Sequence, residues 1–193
     1  MAVYNSSVVL RCLHGDDVAC EVIFSDENCI IPPTTKEEIK YDWNYEGRKE
    51  VERHCKVYTY NDPPFNDFDV RNQIEEFVWH IDRNYLRATP RGRRARVVRA
   101  FQRKCQASGK LEHRLNDYRI LKEANVLAEL GVKGADVLIS ADRAHTDEFC
   151  CYIYEHVMEE ELPIPYKEEM LVKTKYYRDV WKELTKPVIR VPD

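Results

Sequence analysis

Acidic side chains are missing from one stretch of this chain: residues 83–110 contain no Asp or Glu, although 34 occur elsewhere in the 193 residues. The same stretch holds ten cations: Arg83, Arg87, Arg91, Arg93, Arg94, Arg96, Arg99, Arg103, Lys104 and Lys110. Residues 1–82 carry a net charge of −9, residues 83–110 of +10 and residues 111–193 of −5, for a total of −4. Charge segregated in this way within a folded chain marks a surface for a polyanion, nucleic acid above all.

Other absences narrow the reading. Six glycines leave little of the chain for phosphate-cradling loops, and there is no Gly-x-Ser-x-Gly and no His-Glu-x-x-His. No apolar run approaches the ~20 residues that cross a bilayer, so no membrane span is expected. The N-terminus has neither a basic n-region nor an apolar h-region, so the expected location is cytoplasmic or nuclear, not secreted. No internal repeat or low-complexity tract is present. Yet 44% of the residues are hydrophobic, with twelve Tyr and three Trp, which is the composition of a folded protein with a core.

The pattern along the chain predicts an α+β fold, a β-rich N-terminal part (about 1–60) packed on a mainly helical part (about 66–185) with one or two further short strands. Strands are expected at 3–13 and 18–24, joined through His14-Gly15-Asp16-Asp17 as a hairpin, and again at 53–60. A short helix is expected at 36–41. Asn61-Asp62-Pro63-Pro64 divides the chain into subdomains 1–62 and 63–193, together one compact unit. Beyond it, Val70, Ile74, Phe77, Val78, Ile81 and Tyr85 form one helical stripe reaching about residue 86. Helices are expected at 91–107, at 111–130 before Gly131, at 142–158, and through the stripe Tyr166, Met170, Tyr177, Val180, Trp181, Leu184. That last stripe should pack on the first long helix. Short strands are expected at 136–140 and 187–191.

The basic helix 91–107 is amphipathic. On a wheel of ~100° per residue, Val97, Val98, Phe101 and Cys105 share one arc while Arg93, Arg96, Arg99, Arg103 and Lys104 share the opposite one. Arg87, Arg91 and Arg94 extend the surface. Guanidinium groups bind phosphate through a bidentate fork and stack on bases, so the excess of Arg over Lys favours RNA or DNA, with RNA preferred. Trp79, Tyr85 and Tyr118 are candidate stacking partners. The expected function is non-enzymatic nucleic-acid binding. The same charges also suit a structural or adaptor protein, of the viral coat, matrix or accessory kind, that self-associates or binds a partner through complementary acidic surface, such as Glu155 and Glu159–Glu161.

Seven cysteines are expected as free thiols in a reducing compartment. Cys12, His14, Cys20 and Cys29 are weak candidate zinc ligands, because no Cys-x2–4-Cys pair nucleates the tetrahedron that zinc requires. No metal or other cofactor is therefore expected. No catalytic residue is assigned either; a Cys/His-dependent enzyme is the third reading, since both residue types are present without a local signature.

Overall fold

The structure, a computed structural model, describes residues 2–92, 95–107, 111–142 and 171–186. Five parallel strands form one sheet: β1 (Ala2–Tyr4), β2 (Cys29–Ile31), β3 (Lys56–Val57), β4 (Val137–Ser140) and β5 (Lys173–Tyr176), in the order β3-β2-β1-β4-β5. Helices fill the crossovers: α1 (Ser6–Leu13) and α2 (Asp17–Phe24), α3 (Pro33–Ile39) and α4 (Tyr45–His54), then α5 (Phe68–Ile81), α6 (Ala95–Ala107) and α7 (Leu111–Glu129), with α8 (Tyr177–Thr185) following β5.

Both faces of the sheet are covered, which explains why its central strands are almost wholly apolar, Ser140 at the end of β4 excepted. Because side chains alternate along a strand, Val3, Ile30 and Leu138 point to one face and meet Ile74, Phe77 and Ile81 of α5 and Leu121, Ala124 and Leu127 of α7. Ala2, Tyr4, Cys29, Ile31 and Ile139 point to the other, against Val8, Val9, Val22, Ile23 and Tyr177.

The mixed helix and strand content agrees with the sequence expectation, but the strands are spread along the chain and are not gathered in an N-terminal block. Residues 3–13 and 18–24 are mostly helical. Asn5 ends β1 by turning its side-chain oxygen onto Ser7 N at 2.9 Å, and Val8, Val9, Cys12 and Leu13 then bury one helical face. Asp16 caps α2 through Ala19 N at 3.1 Å, so the expected hairpin at 14–17 is a helix–helix turn. Short buried apolar runs suit either element, and here the caps decide. Of 53–60, only Lys56–Val57 is strand, because α4 continues to His54. Helix α3 starts at Pro33, before the expected residue 36.

The helices from α5 to α7 follow the periodicity more closely. Helix α5 passes into a π-helical turn, Asp82–Leu86, at the expected end of the stripe. Helix α7 stops beside Gly131, whose φ of +70° is the left-handed conformation that glycine adopts without strain. The late stripe is divided, since residues 173–176 are β5 and only Tyr177–Thr185 is helix. Trp181 reaches α2, its indole Nε1–H donating to Glu21 Oε2 at 2.7 Å, so α8 packs on the sheet face opposite α5. The expected elements at 142–158 and 187–191, Tyr166, Met170 and the acidic patch 155–161 lie outside the described residues.

Candidate nucleic-acid interface

The basic segment is anchored at two points. Val98 of α6 is buried with Tyr85 and Leu86 in the core. Gln102 Nε2 lies 3.0 Å from Tyr85 O, 3.2 Å from Leu86 O and 2.8 Å from Ala88 O, so one amide serves the carbonyls that the π-helical turn leaves open. With α6 fixed this way, Arg96, Arg99 and Arg103 are exposed. No carboxylate among the described residues pairs with any of the three; Arg103 Nε donates only to Arg99 O, at 3.3 Å.

The remaining basic residues differ in their surroundings. Arg87 is exposed but tied to Asp82 at 2.9 Å. Arg91 is exposed in the loop ahead of the helix, which starts at Ala95 and not at residue 91. Lys104 lies on α6, while Arg93 and Arg94 fall outside the described residues. Of the three aromatic candidates, Tyr85 and Tyr118 belong to the core, whereas Trp79 is 56% exposed with the Arg83 guanidinium 5.0 Å from its ring centroid. One turn of helix separates the two residues, which brings a cation over an open aromatic face.

The sheet creates a second feature that sequence reading missed. The chain leaves β1 on one side toward β2 and β3 and returns on the other side at β4. In open parallel sheets, such a reversal leaves a crevice at the carboxyl ends of the two strands. Here it receives Asn5 and Ser7 from β1–α1, Ser140 and Asp142 from the end of β4, and Asp117 from α7. Asn5 Nδ2 donates to Asp117 Oδ1 at 3.0 Å, Ala141 N donates to Ser7 Oγ at 3.1 Å, and Asp142 N donates to Ser140 Oγ at 3.1 Å. The only trace of this in the sequence is the polar triplet Asn5-Ser6-Ser7 inside an apolar run.

Beside the crevice, a cleft of about 410 Å3 opens between α3, α5 and α7, lined by Thr34, Glu37, Glu38, Tyr60, Glu75, Asn116 and Arg119. Glu123 lies at its base, wholly inaccessible. Its Oε1 accepts from Tyr60 OH at 2.6 Å and from Thr34 Oγ1 at 2.7 Å, and its Oε2 accepts from Thr34 N at 3.2 Å. Burial pushes the carboxyl up to about 7, and the bonds from Tyr60 and Thr34 offset that only in part. Burial, with the Glu123 charge beside it, also holds the Tyr60 phenol well above its ordinary range.

The cysteine expectations are corrected. Cys12 is bonded to Cys20 and Cys29 to Cys55, so these four are disulfides and not free thiols. Neither can three of them join His14 around zinc. His14 instead contacts Asp42 at 2.8 Å and stacks on Trp43. Among the described residues no three His, Cys, Asp or Glu side chains converge to hold a metal ion, and no helix is long and apolar enough to cross a membrane. Disulfide bonding also removes these four cysteines from any Cys/His nucleophilic scheme. Comparison with protein-family models, with curated proteins and with solved structures finds no match for the chain.

Proposed function

We propose that this protein binds nucleic acid, RNA in preference to DNA, through the exposed arginines of α6 and the exposed Trp79–Arg83 pair that precedes it in the chain. The observation that carries this reading is that Arg96, Arg99 and Arg103 face solvent with no carboxylate partner among the described residues, in a chain otherwise rich in acids. Unpaired guanidinium groups keep their full capacity for phosphate, and an exposed indole offers a stacking face to an unpaired base. Arg87 and Arg91 extend the track. Fluorescence anisotropy with a labelled single-stranded RNA oligomer at low salt tests it. Binding is expected, with loss in an Arg96→Glu/Arg99→Glu/Arg103→Glu variant of unchanged thermal stability. Equal binding by that variant, or self-association that the variant abolishes without any RNA affinity, contradicts it and favours assembly through complementary charge.

A second reading makes the protein a phosphodiester hydrolase acting on the bound strand at the sheet crevice. It is favoured by the meeting of Asp117, held by Asn5 at 3.0 Å, with Ser7, Ser140 and Asp142 at the point where ligands of open parallel sheets bind. A carboxylate there serves as base toward an attacking water. Incubation of labelled RNA with the protein, with and without Mg2+, should yield fragments that an Asp117→Asn variant does not produce. Intact RNA in every arm rules this reading out and leaves binding as the activity.

A further inference from the structure

The two disulfides stand in different surroundings. Cys29 is the first residue of β2 and Cys55 follows the last turn of α4, and both belong to the buried apolar layer with Ile31, Ile39 and Val51. The other bridge joins α1 to α2 across the turn at residues 14–16. Cys12 is buried as well, but Cys20 is only half-buried, the one of the four that is not enclosed. Thiol–disulfide exchange begins when a thiolate reaches one sulfur of the bond, so access decides which bridge reacts.

The turn that the Cys12–Cys20 bridge spans is also held by other means. Gly15 N donates to Cys12 O at 3.1 Å and Asp16 N to Arg11 O at 2.9 Å. The Asp16 carboxylate accepts from Ala19 N at 3.1 Å and from Tyr177 OH of α8 at 2.8 Å, and Asn44 Nδ2 donates to Leu13 O at 2.8 Å. Val8 and Val9 of α1 and Val22 and Ile23 of α2 are anchored in the core. None of these contacts needs the sulfur–sulfur bond. Opening it therefore leaves two thiols on fixed helices, at a high effective concentration for closing again. The Cys29–Cys55 bond reacts only when the apolar layer around it opens.

We propose that Cys12–Cys20 is a reversible thiol–disulfide exchange site whose co-reactant is a small dithiol, while Cys29–Cys55 stays closed as long as the protein is folded. A thiolate of the dithiol attacks Cys20 Sγ and forms a mixed disulfide. The bond to Cys12 breaks, and its sulfur leaves as thiolate and takes a proton from water. The second thiol of the dithiol, deprotonated, then attacks its own sulfur in the mixed disulfide and releases Cys20 as thiolate, which is protonated in turn. The bridge has gained two electrons, and the dithiol departs as its cyclic disulfide. The inference is independent of the nucleic-acid reading, which concerns α6.

The test uses the full chain under native conditions. Free thiols are blocked with iodoacetamide, the excess is removed, and dithiothreitol is added at neutral pH. New thiols are trapped with N-ethylmaleimide and located by fragment mass spectrometry. Cys12 and Cys20 should be labelled together and at least about tenfold faster than Cys29 and Cys55, whose reaction waits for opening of the core. The circular dichroism spectrum should stay that of the untreated protein. Replacing the dithiothreitol by oxidised glutathione before trapping should return Cys12 and Cys20 to the unlabelled, bridged form. A Cys12→Ala/Cys20→Ala variant should keep the fold and lose the fast-labelled pair. Equal labelling of all four cysteines, labelling of Cys29 and Cys55 first, reduction of Cys12–Cys20 only with unfolding, or failure of the bridge to re-form overturns the proposal.

Discussion

The Arg83 guanidinium lies 5.0 Å from the centre of the Trp79 ring, and the two side chains stand in the open one helical turn apart. A buried tryptophan with a cation above it would be a packing detail. An exposed one, on the helix that runs into the π-helical turn on which α6 packs, would serve under the proposed reading as a stacking face for an unpaired base.

Replacing Trp79 by Ala should therefore weaken RNA binding by about 1–3 kcal/mol, the range for loss of one base–aromatic stack. Stability should change by no more than about 0.5 kcal/mol, because an exposed ring contributes little to the core. Anisotropy titration and urea unfolding of the same variant check both parts. A large loss of stability with unaltered RNA affinity would assign Trp79 to the fold instead.

Gln102 should matter to binding without carrying charge. Gln102→Leu removes the amide that serves three carbonyls of the π-helical region, at a cost of about 1 kcal/mol. Hydrogen exchange should accelerate in α6 ahead of α5 and α7, and RNA affinity should fall although every arginine is retained. Unchanged exchange in α6 would show that Val98 alone holds the helix.

Glu123 sets a pH dependence with a defined sign. Its carboxyl is raised in the folded protein to about 7 from an ordinary value of 4.5, so between those values the folded state holds a proton that the unfolded chain releases. Stability then falls as pH rises from about 5 to about 7, by as much as about 3 kcal/mol, and levels off above. The depressed carboxyls of Asp16 and Asp42, held down by hydrogen bonds and nearby cations despite partial burial, act in the opposite sense and only at more acidic pH. Urea midpoints at pH 5, 6, 7 and 8 measure the slope, and Glu123→Gln should flatten it. A variant with the parental slope would place the titration elsewhere.

The disulfides can be counted. With Cys12–Cys20 and Cys29–Cys55 closed, alkylation of the denatured protein without reductant should modify no more than three of its seven cysteines. Reduction should lower stability by about 2–4 kcal/mol per bridge for loops of this size. More than three modified thiols before reduction would contradict the pairing.

Local features of this fold were legible in the sequence and long-range ones were not. The stripe through Ile74, Phe77 and Ile81, the buried Val98 against exposed Arg96 and Arg99, and the stop at Gly131 all follow from spacing within one element. The three-residue strands carry no alternation to read, because both their faces are buried, and α1 and α2 read as strands because a short, largely apolar run of eight residues suits either element. The Glu123 cluster joins residues 89 and 63 positions apart, and the crevice brings Asn5 to Asp117 across 112. Such meetings depend on sheet order, which no local pattern encodes.

The most direct test of the central claim is the salt dependence of RNA affinity for the parent and for the Arg96→Glu/Arg99→Glu/Arg103→Glu variant. Each phosphate contact contributes about −0.7 to the slope of log affinity against log salt for a single strand, so loss of three contacts should flatten the slope by about 2. That flattening, together with weaker binding at low salt, is the predicted result. Absence of RNA binding by the parent at low salt, or identical slopes for the two proteins, would contradict the account.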